Sequence, residues 1–321
     1  DCVRTAGNAA LLNEDCGGRS LRQVLVSIGT HYRHGTANGI VCDRHSGLVF
    51  SPSHFTWMDT NHPAGTPREG YPIEIQALWV AALDFLAEID PGESWWTATA
   101  ATVRKALPRY YSMVGGGGLC DCLHGSRGTP AARAYADDAC RPNQLLAVTL
   151  GAVDDGAMGR SIVSACSRLL VPGAIRSLAD RPVRVPQPVM HQGRPLNDPE
   201  RPYWGRYEGD EDTRRKPAYH NGTAWGWLFP AYAEAMMGVY GPPAAPAARA
   251  LLLSSRALLE SGCLGQLPEI LDGDAPHSQR GCGAQAWSVA ECLRVFRLVS
   301  LAAANDGPNA VSATGRTRTE T

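Results

Sequence analysis

Four stretches of the chain gather acids, guanidinium groups and aromatic rings. The first, SPSHFTWMDTNHPAGTPREGYPIEIQALW, carries Asp59 beside Trp57, then Arg68, Glu69 and Glu74. A second ends in CRPNQ and supplies Arg141 and Asn143. The third, PYWGRYEGDEDTRRKPAYHNGTAWGW, holds Tyr203, Trp204, Tyr207, Tyr219, His220, Trp225 and Trp227. The fourth, GQLPEILDGDAPHSQRGCGAQAWS, holds Glu269, Asp272, Asp274, His277, Arg280, Gln285 and Trp287. Two carboxylates facing each other across a Trp-lined cavity suit glycoside hydrolysis. One, protonated, donates to the leaving oxygen, and the other, ionised, activates water. Trp and Tyr faces stack on sugar rings, while Arg, Asn and His bind hydroxyls.

Each group also has a plainer reading. Asp59 suits a turn with Thr60 and Asn61, and Glu269 suits a helical turn after Pro268. The acidic run 208–212 reads as a solvated loop. Asp272, Asp274 and His277 are metal-ligand types, but no EF-hand or HExxH frame surrounds them, so no metal is expected. His31 and His34 read as surface groups at a helix end. Gly115–Gly118 is followed by no Lys-Ser/Thr, which argues against phosphate binding. Cys120-x-Cys122 reads as packing, and no GxSxG elbow is present.

These groups need a scaffold. Apolar residues at helical spacing predict helices over 20–33, 71–89, 94–110, 143–152, 157–170, 223–240, 246–261 and 285–300. Short turns lie near 90–93, 153–156 and 241–245. Long segments lie at 34–70, 111–142, 171–222 and 262–284. Antiparallel helix hairpins with short turns bring their long connections to one end, so the four long segments should share a rim. Loops of that length in a compact domain are functional or disordered, and these are too rich in Trp, Tyr and Pro for disorder. The polar end of the chain, from 303, is expected to be disordered.

Composition narrows the choice. The 321 residues have a formal net charge of −1, which leaves no basic surplus for a nucleic-acid backbone or an anionic membrane. No run of about 18 apolar residues exists, so no membrane span is expected. The aromatic residues include 8 Trp against 5 Phe, a bias toward flat stacking surfaces. Basic residues are almost all Arg, which we read as the coding bias of a GC-rich, bacterial source. The 10 Cys are scattered without CxxC spacing, so free thiols and a reduced cytoplasm are expected. No secretory signal is visible; without an initiator Met, the chain is expected to start inside a longer product.

The blocks HFTWMDTN, GTPREGYPIEIQALW, RPNQLLAVTL, LLVPGAIRSL, YHNGTAWGWLFPAYAEA and the PE to AQAWSVAECLRV ending resemble, in order, the glucosidase domain of glycogen debranching enzymes, the amylo-α-1,6-glucosidase family. The resemblance covers about residues 20–300. It implies an all-α (α/α)6 six-hairpin toroid over 1–302 with a tail at 303–321. It also implies inverting hydrolysis of an α-1,6-linked glucose on a trimmed glycogen-derived oligosaccharide, with no cofactor. Carried over block by block, Asp59 is the general acid and Glu269 the general base, with Glu74 in an equally strong block. Trp57, Arg68, Glu74, Arg141, Asn143, Tyr219, His220, Thr223, Trp225, Gln285 and Trp287 would bind the sugar.

The predicted helices number about eight where such a toroid needs twelve, so one or more N-terminal hairpins are expected to be missing. The chain alone should lack glucanotransferase activity. A related α-glucoside hydrolase, such as a trehalase, stays open. So does a sugar epimerase using His54, His220 or His277, and so does a non-catalytic glycan-binding fragment.

Overall fold

The computed structural model describes residues 2–60, 66–113 and 117–305, apart from the side chains of Cys2, Thr5, Ala304 and Asn305. Asn61, Gly115, Gly116 and most of the expected tail, 306–321, lie outside the described residues. The helices are α1 (Cys2–Thr5), α2 (Leu21–His34), α3 (Ile73–Ile89), α4 (Trp95–Tyr111), α5 (Leu145–Thr149), α6 (Gly156–Ser167), α7 (Lys216–Tyr219), α8 (Phe229–Tyr240), α9 (Ala245–Leu253), α10 (Arg256–Leu259) and α11 (Ala286–Asn305). Local chemistry sets several ends. Ser20 and Gln23 form a reciprocal capping box at the start of α2. Asp155 accepts from the Ala157 and Met158 N–H groups at the start of α6.

Four helices form an inner row. α3 packs on α5, α5 on α8, and α8 on α11, while α4, α6 and α9 back them from outside. Helix α3 is apolar around most of its circumference, and Ile73, Ala77, Val80 and Leu83 are completely buried. That pattern suits a helix with neighbours on several sides. Its buried Gln76 accepts from the Val49 N–H and donates to the Val49 carbonyl, pinning a loop strand to the helix.

The connecting segments are not irregular throughout. Strands β1 (Val41–Cys42) and β2 (Val49–Phe50) form a ribbon. Strands β3 (Gly70–Pro72), β4 (Cys122–His124) and β5 (Tyr135–Ala136) form an antiparallel sheet. Strands β6 (Leu170–Val171), β7 (Ala174–Arg176), β10 (Ala224–Trp225), β11 (Ile270–Leu271) and β12 (Gln279–Arg280) form another, in the order β12-β11-β10-β7-β6. A separate ribbon joins β8 (Met190–His191) to β9 (Arg194–Pro195). The first sheet ties the long segment before α3 to the one before α5, and the second ties the segments before α8 and α11. All four inner helices therefore start from one layer that carries the chemistry-bearing residues.

The all-α expectation holds in its coarser form: the described residues are helix-rich, 46% helical, and also carry these short strands. Strands of two or three residues are too short to show a period of two. Their pairing comes from segments distant in sequence, which local patterning does not report. The helix predicted over 223–240 splits for the same reason. Trp225 pairs across to Ile270 and Ile175, and α8 begins only at Phe229. The helix predicted over 246–261 divides into α9 and α10, and that over 143–152 shortens to α5 after a 3₁₀ turn at Pro142–Gln144. The nine described cysteines other than Cys2 are free thiols. No described helix is long and apolar enough to cross a membrane.

Candidate active site

The residues before α8 and α11 and the loop before α3 build an aromatic box. Trp57 lies edge-on to Trp225, Trp227 and His220, with ring centroids 5.0, 5.1 and 5.3 Å away. Trp287 stacks on Trp227 at 3.9 Å, and Tyr219 lies 4.9 Å from Trp225. These are edge-to-face and stacked pairs of the kind that fix ring orientation. A cavity of about 420 Å³ runs beneath, lined by Trp57, Glu74, Trp227, Trp287 and residues of α3, α5, α8 and α11. Of the 8 Trp, five lie in the segments around this layer, whereas Trp79, Trp95 and Trp96 pack on α3 and α4.

His220 is 2% exposed and its ring lies flat against Trp225. Neither ring nitrogen has a hydrogen-bond partner among the described residues, and neither does Trp227 Nε1. An unpaired buried polar group costs about 1–3 kcal/mol, and these atoms are shut off from solvent as well. Burial, assisted by the charges of Arg141, Arg68 and His54, pushes the His220 pKa well below the usual histidine range. The imidazole is therefore neutral, with one donor and one acceptor.

Glu269 is half-buried at the edge of β11. Its Oε1 accepts from the Tyr219 phenol at 2.5 Å and its Oε2 from the Cys282 N–H at 2.9 Å. Tyr219 is itself held, because its carbonyl accepts from Trp225 Nε1 and from the Thr223 hydroxyl. Burial raises the Tyr219 phenol pKa, and the Glu269 hydrogen bond and the charges of Glu269, Tyr207 and Asp59 raise it further. The phenol is thus a permanent donor to Glu269. Asp59 is exposed; its charge adds to the rise of the Tyr219 pKa and opposes the burial that lowers that of His54.

Beneath the box lies a buried ionic network. Arg68 donates to both Glu74 oxygens at 2.6 Å and through Nε to Asp121 at 2.6 Å. Burial opposes its charge, but Asp121 and Glu74 outweigh burial and keep it protonated. Arg141 sits 3.5 Å from Asp121 and donates to the carbonyls of Ser177 and His220 and to Asn221 Oδ1. Asn143 donates to Asp121 and accepts from Trp57 Nε1, tying the network to the box. Two guanidinium groups thus face two carboxylates with their donors satisfied, the condition under which buried ions are tolerated.

The structure sorts the predicted residues by role. Trp57, Tyr219, His220, Trp225 and Trp287 come together in the box, and Gln285 lies half-buried at the start of α11. Arg68 and Arg141, read as lining a sugar pocket, are 3% and 2% exposed and instead brace its floor. Thr223 is completely buried and holds the Tyr219 carbonyl. Glu74 is buried with both oxygens engaged by the Arg68 guanidinium, whereas Glu269, which accepts from the Tyr219 phenol and the Cys282 N–H, is partly exposed, the better arrangement for a base that must meet water. Asp272 is taken by the Tyr207 N–H and Arg280.

Sequence reading misses Asp121, the centre of the network. A carboxylate inside the apolar run LCDCL signals a buried partner, since burying it alone is prohibitive. Reading that run only as thiol packing overlooks the signal.

The profile of a family described as amylo-alpha-1,6-glucosidase matches residues 2–187 and 189–294. No curated protein matches. Among solved structures, neutral trehalase Nth1 from Saccharomyces cerevisiae is 12% identical with a TM-score of 0.45, covering 72% of this chain and 40% of that one. A GH63 mannosylglycerate hydrolase from Thermus thermophilus is 15% identical with a TM-score of 0.42, covering 71% and 46%. The chain thus spans less than half the length of these structures.

Proposed function

The chain belongs to the amylo-alpha-1,6-glucosidase family, and from that premise we propose that it is an inverting glycosidase releasing glucose from α-1,6 branch points of glycogen-derived oligosaccharides. The observation that carries this reading is Glu269, held by the Tyr219 phenol and the Cys282 N–H beside an aromatic box. Asp59, exposed in the segment before α3, completes the pair in this reading. A terminal glucose stacks against Trp57, Trp227 and Trp287 where they line the cavity of about 420 Å³. The neutral, buried His220 imidazole backs the box behind Trp57 and Trp225. Asp59, as general acid, donates a proton to the leaving glycosidic oxygen. Glu269, as general base, takes a proton from water attacking the opposite face of the anomeric carbon, which inverts its configuration. No cofactor takes part.

The arc of four inner helices with outer partners fits part of an (α/α)6 toroid, and residues 1–302 form one domain in this reading. A cytoplasmic location suits a glycogen-derived substrate.

Anomer-resolved NMR of glucose release from a singly branched α-1,6 oligosaccharide tests the proposal. β-Glucose is expected, with losses of at least about 10²-fold in Asp59→Asn and Glu269→Gln. Undiminished rates in both variants exclude this acid–base pair. Cleavage of trehalose in preference to the α-1,6 linkage assigns the site to a related α-glucoside hydrolase.

A further inference from the structure

Beside the aromatic box lies a second cavity that the glucosidase reading does not use. It measures about 660 Å³ and is bounded by Asp180, Tyr203, Trp204, Arg206, Glu208 and Asp274. We propose that this cavity is a separate glycan-binding site, taking the part of an α-glucan that stays outside the box. The inference rests on the glucosidase reading for the glucan class and on the following geometry for the site.

The cavity and the box share a wall. The Trp204 N–H donates to the Asn221 carbonyl at 2.7 Å, next to His220. Three residues further on, Tyr207 packs 5.6 Å from Tyr219, the phenol that holds Glu269. Glu269 and Asp274 flank opposite ends of β11. The segment 203–207 therefore separates the cavity from the base by a single thickness of chain.

That wall is built for rigidity. A Cβ on Gly273 would lie 2.0 Å from the Gly222 carbonyl oxygen, and one on Gly222 2.4 Å from that of Trp204. A Cβ on Gly205 would lie 2.3 Å from Asp274 Oδ1. Three backbones touch where no side chain fits, which preorganises the surface.

The lining chemistry selects a neutral polyol. The Tyr203 phenol donates to Asp274 at 2.8 Å, and Arg206 approaches the same carboxylate at 3.8 Å. Asp180 and Arg214, also at the cavity, make no side-chain hydrogen bond or ion pair with another described residue. Three carboxylates against two guanidinium groups give a net negative lining, which disfavours phosphates and polyanions. The Tyr203 phenol, the carboxylates and the guanidinium groups of the lining suit sugar hydroxyls, and Trp204 supplies an aromatic surface. The volume is in the usual range for ligand pockets, about 300–1,000 Å³.

The test is calorimetric titration of maltoheptaose, a linear α-1,4 glucan, into the intact chain and two variants. Arg206→Ala/Glu208→Ala alters side chains that are 49% and 56% exposed, so the fold should hold. Trp204→Ala is the second variant. Binding by the wild type, weakened at least about 10-fold in both variants, is expected, corresponding to loss of one charge-assisted contact or more. The kcat/KM for isomaltose should stay unchanged. Equal maltoheptaose affinity in wild type and folded variants overturns the proposal, as does glucose 1-phosphate binding in preference to maltoheptaose. Weakened maltoheptaose binding in a chain that cleaves no α-1,6 linkage leaves the glycan site standing and removes the glucosidase reading.

Discussion

Tyr219→Phe isolates one hydrogen bond. The substitution removes the phenol that donates to Glu269 Oε1 at 2.5 Å and leaves the Cys282 N–H on Oε2. The ring keeps its contacts with Trp225, His220 and Tyr207, at centroid distances of 4.9, 4.8 and 5.6 Å. A hydrogen bond to a charged acceptor contributes about 1.5–3 kcal/mol. At about 1.36 kcal/mol per decade, full loss from the transition state lowers kcat about 10- to 150-fold. Because the phenol holds the base and the box holds the sugar, KM should change less than about threefold. The assay is initial-rate glucose release from a singly branched oligosaccharide, with thermal melts to confirm folding. In a double-mutant cycle, Tyr219→Phe should cost almost nothing in the Glu269→Gln background, since both act through one group. A folded Tyr219→Phe enzyme with kcat within twofold of wild type, or full additivity with Glu269→Gln, refutes the positioning of Glu269 by this phenol.

Asp121→Ala should destabilise the fold by about 3–5 kcal/mol, measured by urea unfolding, because it leaves Arg68 short of a buried partner. His220 should make stability fall as pH drops. Its folded pKa is depressed well below 6.5, so below about pH 6.5 the unfolded chain binds a proton that the folded chain refuses. Its contribution is fully present above the unfolded pKa and is lost as pH falls toward the folded one. His220→Phe should flatten the urea-derived stability slope between pH 6.5 and 5 by up to about 1.4 kcal/mol per pH unit. An unchanged slope argues against a neutral buried imidazole.

The acid–base expectation came from residue types in four stretches, and the structure gathers those stretches at one end of the inner helices. Hairpin logic gave the shared rim, because short turns leave the long connections together. It gave no account of how those segments join. Two-residue strands such as β10 and β11 pair residues 224–225 with 270–271, and nothing local marks them. Arg68 shows the same limit at the site. Its type suits sugar hydroxyls, yet four buried hydrogen bonds to carboxylate oxygens engage it, two of them because Asp121, 53 residues away, lies against it.

By itself, the sequence determined the helix periodicity, the family blocks and the concentration of Trp, Tyr and acids in the long segments. These are local properties, set by side-chain type and spacing. Only the tertiary structure decided which polar groups are free and which are engaged. Arg68 pairs with Glu74 and Asp121 in the floor and Arg141 donates to the Ser177 and His220 carbonyls and Asn221, whereas His220 and Trp227 Nε1 are buried without partners among the described residues and Glu269 stays partly exposed. A buried polar group must be paired wherever the fold places it, and the partner comes from across the chain.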